Sequence, residues 1–233
     1  MADKWKQTAL LVIDMQNDFI REDGLMRVDG GKAIVPNVIK VVREHDSLGR
    51  DVELFRQHLY SAGKVGPTSK GSKGVQTPNC IRQTVFDAVA LDYANVSVIL
   101  MPQLLLHLMY MLVVRENDSL GRDVELFRRH MYSAGKVGPA SKGSKGAELV
   151  DGLTMKERDY KVVKTRFSAF FNTHLHSFLQ TEGIKSLVIV GVQTPNCIRQ
   201  TVFDAVGLDY ANVSVIVDAT AAATPDVHVG MFS

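Results

Sequence analysis

Three residues far apart in the chain have the types that hydrolyse amides together: a carboxylate at Asp14, an amine at Lys164 and a thiol at Cys197. A cysteine at the mouth of a helix feels the positive end of the helix dipole, and a nearby ammonium lowers its pKa further, favouring the thiolate that attacks carbonyls. A carboxylate close to both can take the thiol proton and pass it to a leaving amine. The backbone N–H groups of the tight turn Gln193–Cys197 are placed to form an oxyanion hole, with Val192, Gln193 and Asn196 as the substrate-binding and oxyanion candidates. Taken singly, Cys197 reads as readily as a small buried hydrophobe, and Lys164 reads more readily as a surface charge.

What joins the three is position: each sits at or just after the end of a predicted strand. Thr8–Ile13 (TALLVI) is a continuous apolar run, as expected for a parallel strand covered on both faces, and it stops at Asp14. Lys161–Val163 leads into Lys164. Lys185–Val190 (KSLVIV) leads through Gly191–Asn196 into a predicted helix over Cys197–Leu208, followed by a strand at Val213–Val217. Lys32–Val42 reads as a helix with Pro36 in its first turn, His107–Val114 as a buried strand, and Phe170–Glu182 as an amphipathic helix closed by Gly183. Strands alternating with helices predict a mainly parallel sheet with helices on both faces. Right-handed crossovers put the strand C-terminal ends on one edge, where ligands bind in such folds.

Two stretches occur twice, out of order. Val41–Gly74 returns almost unchanged as Val113–Gly146, and Gly74–Ile99 returns as Gly191–Ile216. The two offsets differ, so a solenoid, which needs one fixed period, is excluded. Cys197 follows the strand LVIV, which can hold its turn; Cys80, its counterpart, follows GPTSKGSKG, a flexible stretch that cannot. Val113-Val114 ends a long apolar strand, whereas Val41-Val42 runs straight out of the preceding helix. About Val41 to Met101 is therefore read as an insertion in a single domain, looped out or packed on its surface.

The chain has 233 residues, 45% apolar and 22% charged, which suits a soluble globular domain rather than a disordered one. Lys and Arg number 27 against 25 Asp and Glu, a net charge of +2, which gives no electrostatic reason to expect nucleic acid or an anionic membrane. The expected partner is a small molecule. Two cysteines argue against a disulfide framework and for a reducing compartment, and the N-terminal apolar run is too short for a signal peptide, so a cytoplasmic location is expected. Val96–Val114 approaches membrane-spanning length, but Pro102, Gln103 and His107 interrupt it, and it reads as a junction feeding a buried strand.

LLVIDMQNDFI at Leu10–Ile20, KTRFSAFFNT at Lys164–Thr173 and GVQTPNCIRQT at Gly191–Thr201 resemble the three signature regions of the isochorismatase-like cysteine hydrolases, the superfamily of nicotinamidases, carbamoyl-amide hydrolases and isochorismatases. The likeness is strongest to a plant-type, nicotinamidase-related branch. It implies a three-layer α/β/α, Rossmann-like fold. It also implies Asp14 as general acid and base, Lys164 as thiolate stabiliser, Cys197 as nucleophile, and a cis non-proline peptide at Val192–Gln193. Homo-oligomerisation is a further expectation. Hydrolysis of a vinyl ether, as in isochorismatases, is disfavoured because that acid-catalysed reaction needs no thiol.

The sequence departs from the family pattern twice. Nicotinamidases usually carry an Asp-x-His pair and another His that bind a divalent metal; the matching place here reads Arg115-Glu116-Asn117-Asp118. His45 lies in the displaced copy, and His174 and His176 have a spacing that does not share a helix face. No metal or other cofactor is therefore expected, and a small amide, ureide or carbamoyl compound is preferred to nicotinamide. Family members also continue past the ATAAATP segment, Ala219–Pro225, into another helix and an edge strand, whereas this sequence stops at Ser233.

Overall fold

Side chains alternate between the faces of a strand, and the apolar runs of this chain use that alternation to fill two cores. A computed structural model describes residues 7–48, 96–99, 109–132, 135–157, 159–224 and 226–228. In strand β1, Thr8–Ile13, all six residues are buried. Leu10 and Val12 pack into one cluster, and Ala9, Leu11 and Ile13 into the other. The remaining strands are β2 (Val96–Ile99), β3 (Met109–Arg115), β4 (Tyr160–Lys164), β5 (Ser186–Val192) and β6 (Asn212–Ala221). They form one sheet in the order β2-β6-β5-β1-β3-β4, with every pair parallel.

Helix α1 (Gly31–Leu48) covers one face through Ile34, Val38, Val41 and Val42. Helices α2 (Leu175–Thr181) and α3 (Arg199–Gly207) cover the other through Leu175, Leu179, Val202 and Ala205. Burying each of the Ile, Leu and Val side chains is worth about 1.5–3 kcal/mol, so each helix is fixed by its apolar stripe. The result is the three-layer α/β/α arrangement expected from the sequence, with all strand C-terminal ends on one edge.

Boundaries differ from expectation for local reasons. Helix α2 begins at Leu175 rather than Phe170 because hydroxyls capture the preceding backbone. Ser168 Oγ accepts from the Phe170 N–H at 3.1 Å, and Thr173 Oγ1 donates to the Ala169 carbonyl at 2.6 Å and accepts from the Leu175 N–H at 3.3 Å. Such bonds offer the chain an alternative to the helix. Helix α1 runs to Leu48, beyond the expected Val42, and Pro36 lies inside it rather than in its first turn. Among the described residues no helix is long and apolar enough to cross a membrane.

Both ends of the duplicated segment join the fold. Val41 and Val42 belong to α1, and β2 pairs in register with its own duplicate, Val96 with Val213 through Ile99 with Ile216. The segment's last strand is thus an edge of the sheet rather than part of a loop, since an identical β-branched segment presents a matching row of backbone donors and acceptors. Cys80, His45 and the Gly/Ser/Lys stretch preceding Cys80 lie outside the described residues or side chains.

Candidate active site

β5, β1, β3 and β4 are neighbours in the sheet, so whatever follows their C-terminal ends meets at one place. Ile13 is level with Gly191 and Val113, and Arg115 is level with Lys164. The chain must turn sharply at both central strands. Asp14 adopts a left-handed φ of 54° while its N–H donates to the Val113 carbonyl at 2.9 Å; aspartate tolerates that region better than most residues. Gly191 has φ 113°, and a Cβ there would lie 2.0 Å from the Ile13 carbonyl oxygen, so only glycine allows the two strands to approach. The Val192–Gln193 peptide is cis, as the resemblance implied.

Lys164 Nζ occupies the centre. It donates to Asp14 Oδ2 at 2.7 Å, to Cys197 Sγ at 3.3 Å and to the Arg166 carbonyl at 3.1 Å. An ammonium has three donors, and all three are used. Lys164 and Asp14 are fully buried, and Cys197 is only 3% exposed. In such surroundings the ion pair and its hydrogen bonds strengthen one another.

Cys197 sits in a tight π-type helical turn, Thr194–Ile198, ahead of α3. Burial pushes its thiol above the ordinary range; the Asp14 carboxylate pushes the same way, while Lys164 and Arg115 pull it down without prevailing. Desolvation penalises the charged form and here opposes the helix position and the lysine, which favour the thiolate. Of the turn residues, Val192 is fully buried. The Gln193 carbonyl accepts from the N–H groups of Asn196 and Ile198, both at 3.1 Å, and the Asn196 side chain donates to Gln193 Oε1 at 3.1 Å. Gln193 and Asn196 thus brace the turn.

Two supports were not evident from the sequence. Gln16 ties the ends of β1 and β3 together: its Nε2 donates to the Arg115 carbonyl at 2.8 Å and its Oε1 accepts from the Arg115 N–H at 2.7 Å. Thr201 donates to the Cys197 carbonyl at 2.6 Å and accepts from the Ala169 N–H at 3.0 Å, holding the turn against the segment after β4. Arg115 itself was noted only as part of a departure from a metal motif. It ends β3 with a fully buried side chain, its Nη1 shared between the Thr165 carbonyl at 3.1 Å and both oxygens of Glu125 at 3.4 Å. An arginine closing an apolar strand beside β1 was the available signal.

At the place of the metal motif, the Asn117 amide donates to the Tyr132 hydroxyl at 2.8 Å and to the Pro139 carbonyl at 3.1 Å. His174 packs edge-on against Tyr160, while His176 lies 3.2 Å from the Tyr210 hydroxyl. Among the described residues no group of three or more His, Cys, Asp or Glu side chains is placed to hold a metal ion. A cavity of about 280 Å³ lined by Leu112, Val114, Glu116 and Met155 opens beside β3. It lies on the sheet face opposite Cys197, since Leu112 belongs to the first core cluster and Cys197 to the second.

The isochorismatase domain model matches residues 110–233. The chain is 53% identical over 229 residues to a protein of Arabidopsis thaliana described as a "probable inactive nicotinamidase", covering 98% of this chain and 87% of that one. It is 27% identical over 220 residues to the ureidoacrylate amidohydrolase of Acinetobacter baylyi, covering 90% of this chain and 69% of the relative. Among solved structures, an isochorismatase family protein from Desulfovibrio vulgaris superposes with a TM-score of 0.65 at 30% identity, covering 95% of this chain and 85% of that one.

Proposed function

The chain belongs to the isochorismatase family of hydrolases, and from that premise we propose that it cleaves a small amide, ureide or carbamoyl compound through an acyl-thioester on Cys197. The observation that carries this is the Lys164 ammonium bonded at once to Asp14 and to Cys197. As the substrate carbonyl approaches, the thiol proton passes to the Asp14 carboxylate and the sulfur bonds to the carbonyl carbon. Lys164 stays beside both groups, so the charge moves between two partners of one cation. The carbonyl oxygen takes up the negative charge and is held by N–H groups of the turn after Val192. Asp14 then returns the proton to the nitrogen of the leaving amine, and the C–N bond breaks. Water attacks the thioester while Asp14 accepts its proton, releasing the acid and restoring the thiol.

A raised thiol pKa fits this order, since the proton leaves only when a base and an electrophile are both in place. Nicotinamide bound through a metal is a poorer fit, because the Asn117 amide is committed to Tyr132 and Pro139. A second reading, a family member without catalytic activity, draws on the burial of Cys197 and on the description of the Arabidopsis relative. Turnover of a panel of small amides, N-carbamoyl compounds and ureides separates the two. Hydrolysis abolished by Cys197→Ala and kept by Cys80→Ala supports the hydrolase; no hydrolysis of any panel member supports the inactive reading.

A further inference from the structure

β5 and β6 run side by side up to the nucleophile's turn: Gly191 is level with Thr220 and Val192 with Ala221. Beyond that point β5 enters the Thr194–Ile198 turn that carries Cys197, and the chain leaving β6 comes back to meet it. Ala222 is buried, and the Ala223 carbonyl accepts from the Asp29 N–H at 3.1 Å, which anchors the segment. Thr224 then bends the chain: its hydroxyl accepts from the Val227 N–H at 3.3 Å and its carbonyl from the His228 N–H at 2.9 Å. The bend brings His228 Nδ1 to 2.9 Å from the Thr194 hydroxyl.

Thr194 opens the turn and is only 3% exposed, and its carbonyl accepts from the Arg199 N–H at the turn's far end. A buried hydroxyl needs a partner. A tie at this residue bears on the whole turn, because the neighbouring Gln193 carbonyl already joins Asn196 and Ile198 across it. Either tautomer of the ring makes the bond: the hydroxyl donates to a bare Nδ1 or accepts from one that carries the proton. Burial pushes the His228 pKa down, so the ring is neutral near pH 7 and acts on Cys197 by position rather than by charge. Thr201 holds the same turn from the α3 side, through the Cys197 carbonyl and the Ala169 N–H. His228 is its counterpart on the β6 side.

We propose that His228 is a positioning residue for the nucleophile: through Thr194 it fixes the turn so that Cys197 Sγ stays 3.3 Å from Lys164 Nζ. The segment after β6 thus serves the site without touching the reacting atoms. This rests on the reading of Cys197 as nucleophile, and it adds a residue that lies outside all three sequence motifs.

The test measures iodoacetamide labelling of Cys197 in the full chain from about pH 7 to 10, read from the Ser186–Arg199 peptide. Only the thiolate reacts, so the midpoint of the profile reports how well Lys164 holds the sulfur, and the plateau reports access. His228→Ala should raise the midpoint and slow labelling near neutral pH by about 3- to 10-fold, the range that one hydrogen bond transmits. His228→Asn, whose amide reaches the place of Nδ1, should restore most of the wild-type rate. Thr194→Val removes the same bond from the other side and decides the matter even if His228→Ala does not fold. It should match His228→Ala, and the double variant should add nothing further. An unchanged midpoint in the single variants, faster labelling from an opened turn, or losses that add in the double variant would overturn the proposal. Labelling needs no turnover, so the two readings separate. This coupling in a chain that hydrolyses no small amide would uphold the positioning role and refute the hydrolase; hydrolysis abolished by Cys197→Ala but unmoved by His228→Ala and Thr194→Val would do the reverse.

Discussion

Lys164 and Arg115 end neighbouring strands, stand level in the register, and are both fully buried cations. They differ in what their donors do. Lys164 spends all three within the protein, on Asp14, Cys197 and the Arg166 carbonyl. Arg115 spends one nitrogen on Glu125 and Thr165, and among the described residues its other two have no partner. A cation whose donors are all used holds catalytic groups in place; Arg115 instead adds positive charge beside them, pulling against the burial that pushes the Cys197 thiol up. Position along the strand is the same for both, and the surrounding acceptors make the difference.

The largest effect should follow from breaking the satisfied cation. Lys164→Met leaves Asp14 buried without its partner, which should cost roughly 3–5 kcal/mol of stability in a denaturant titration and lower kcat/KM by about 10³-fold. Arg115→Met should be gentler, about 1–3 kcal/mol, because Glu125 keeps Arg128 and, among the described residues, two of the lost donors had no partner. Equal losses for the two variants would erase the distinction. Gly191→Ala tests the close approach of β5 to β1: the contact with the Ile13 carbonyl and the positive φ predict a loss of about 3 kcal/mol, read from the melting temperature.

Smaller effects sharpen the account of the turn. Thr201→Val leaves the Ala169 N–H and the Cys197 carbonyl without their hydroxyl, predicting a loss of about 1–2 kcal/mol and a larger relative loss of activity than of stability. The thiol pKa gives the last. A thiol raised in the folded state binds its proton more tightly than in the unfolded chain, so its contribution to stability is full below the ordinary thiol pKa of about 8.5 and is lost as pH rises through the higher folded value. Chemical denaturation of wild type and Cys197→Ala across pH 7–10 should therefore show wild type losing stability relative to the variant above about pH 8.5.

Much of this was legible in the sequence where chemistry and local pattern coincide. The apolar run ending at Asp14 and the LVIV strand before the Gly191–Asn196 turn are local signals, and they placed Asp14 and Cys197 at one sheet edge. Lys164 needed the resemblance, since a lysine after a short run reads as a surface charge. The pull of helix position and a nearby lysine on the thiol is visible in a sequence, whereas the desolvation that opposes it depends on packing from distant segments. Gln16 and Thr201 escaped notice for the same reason: their partners, Arg115 and Ala169, lie far along the chain. The pairing of β2 with β6 was written in the duplication itself, as two copies of VSVI, but no local pattern says that a segment will dock on its own repeat.

The central claim is that Cys197, held by Lys164 and Asp14, is the nucleophile. Iodoacetamide labelling near neutral pH, followed by trypsin and peptide mapping, tests it directly. The two cysteines fall in peptides of different mass, Ser186–Arg199 and Gly74–Arg82. Lys164 pulls the thiol towards the thiolate, so the labelling rate of Ser186–Arg199 should fall sharply in Lys164→Met while that of Gly74–Arg82 stays unchanged. A Cys197 rate indifferent to the loss of Lys164 would contradict the claim.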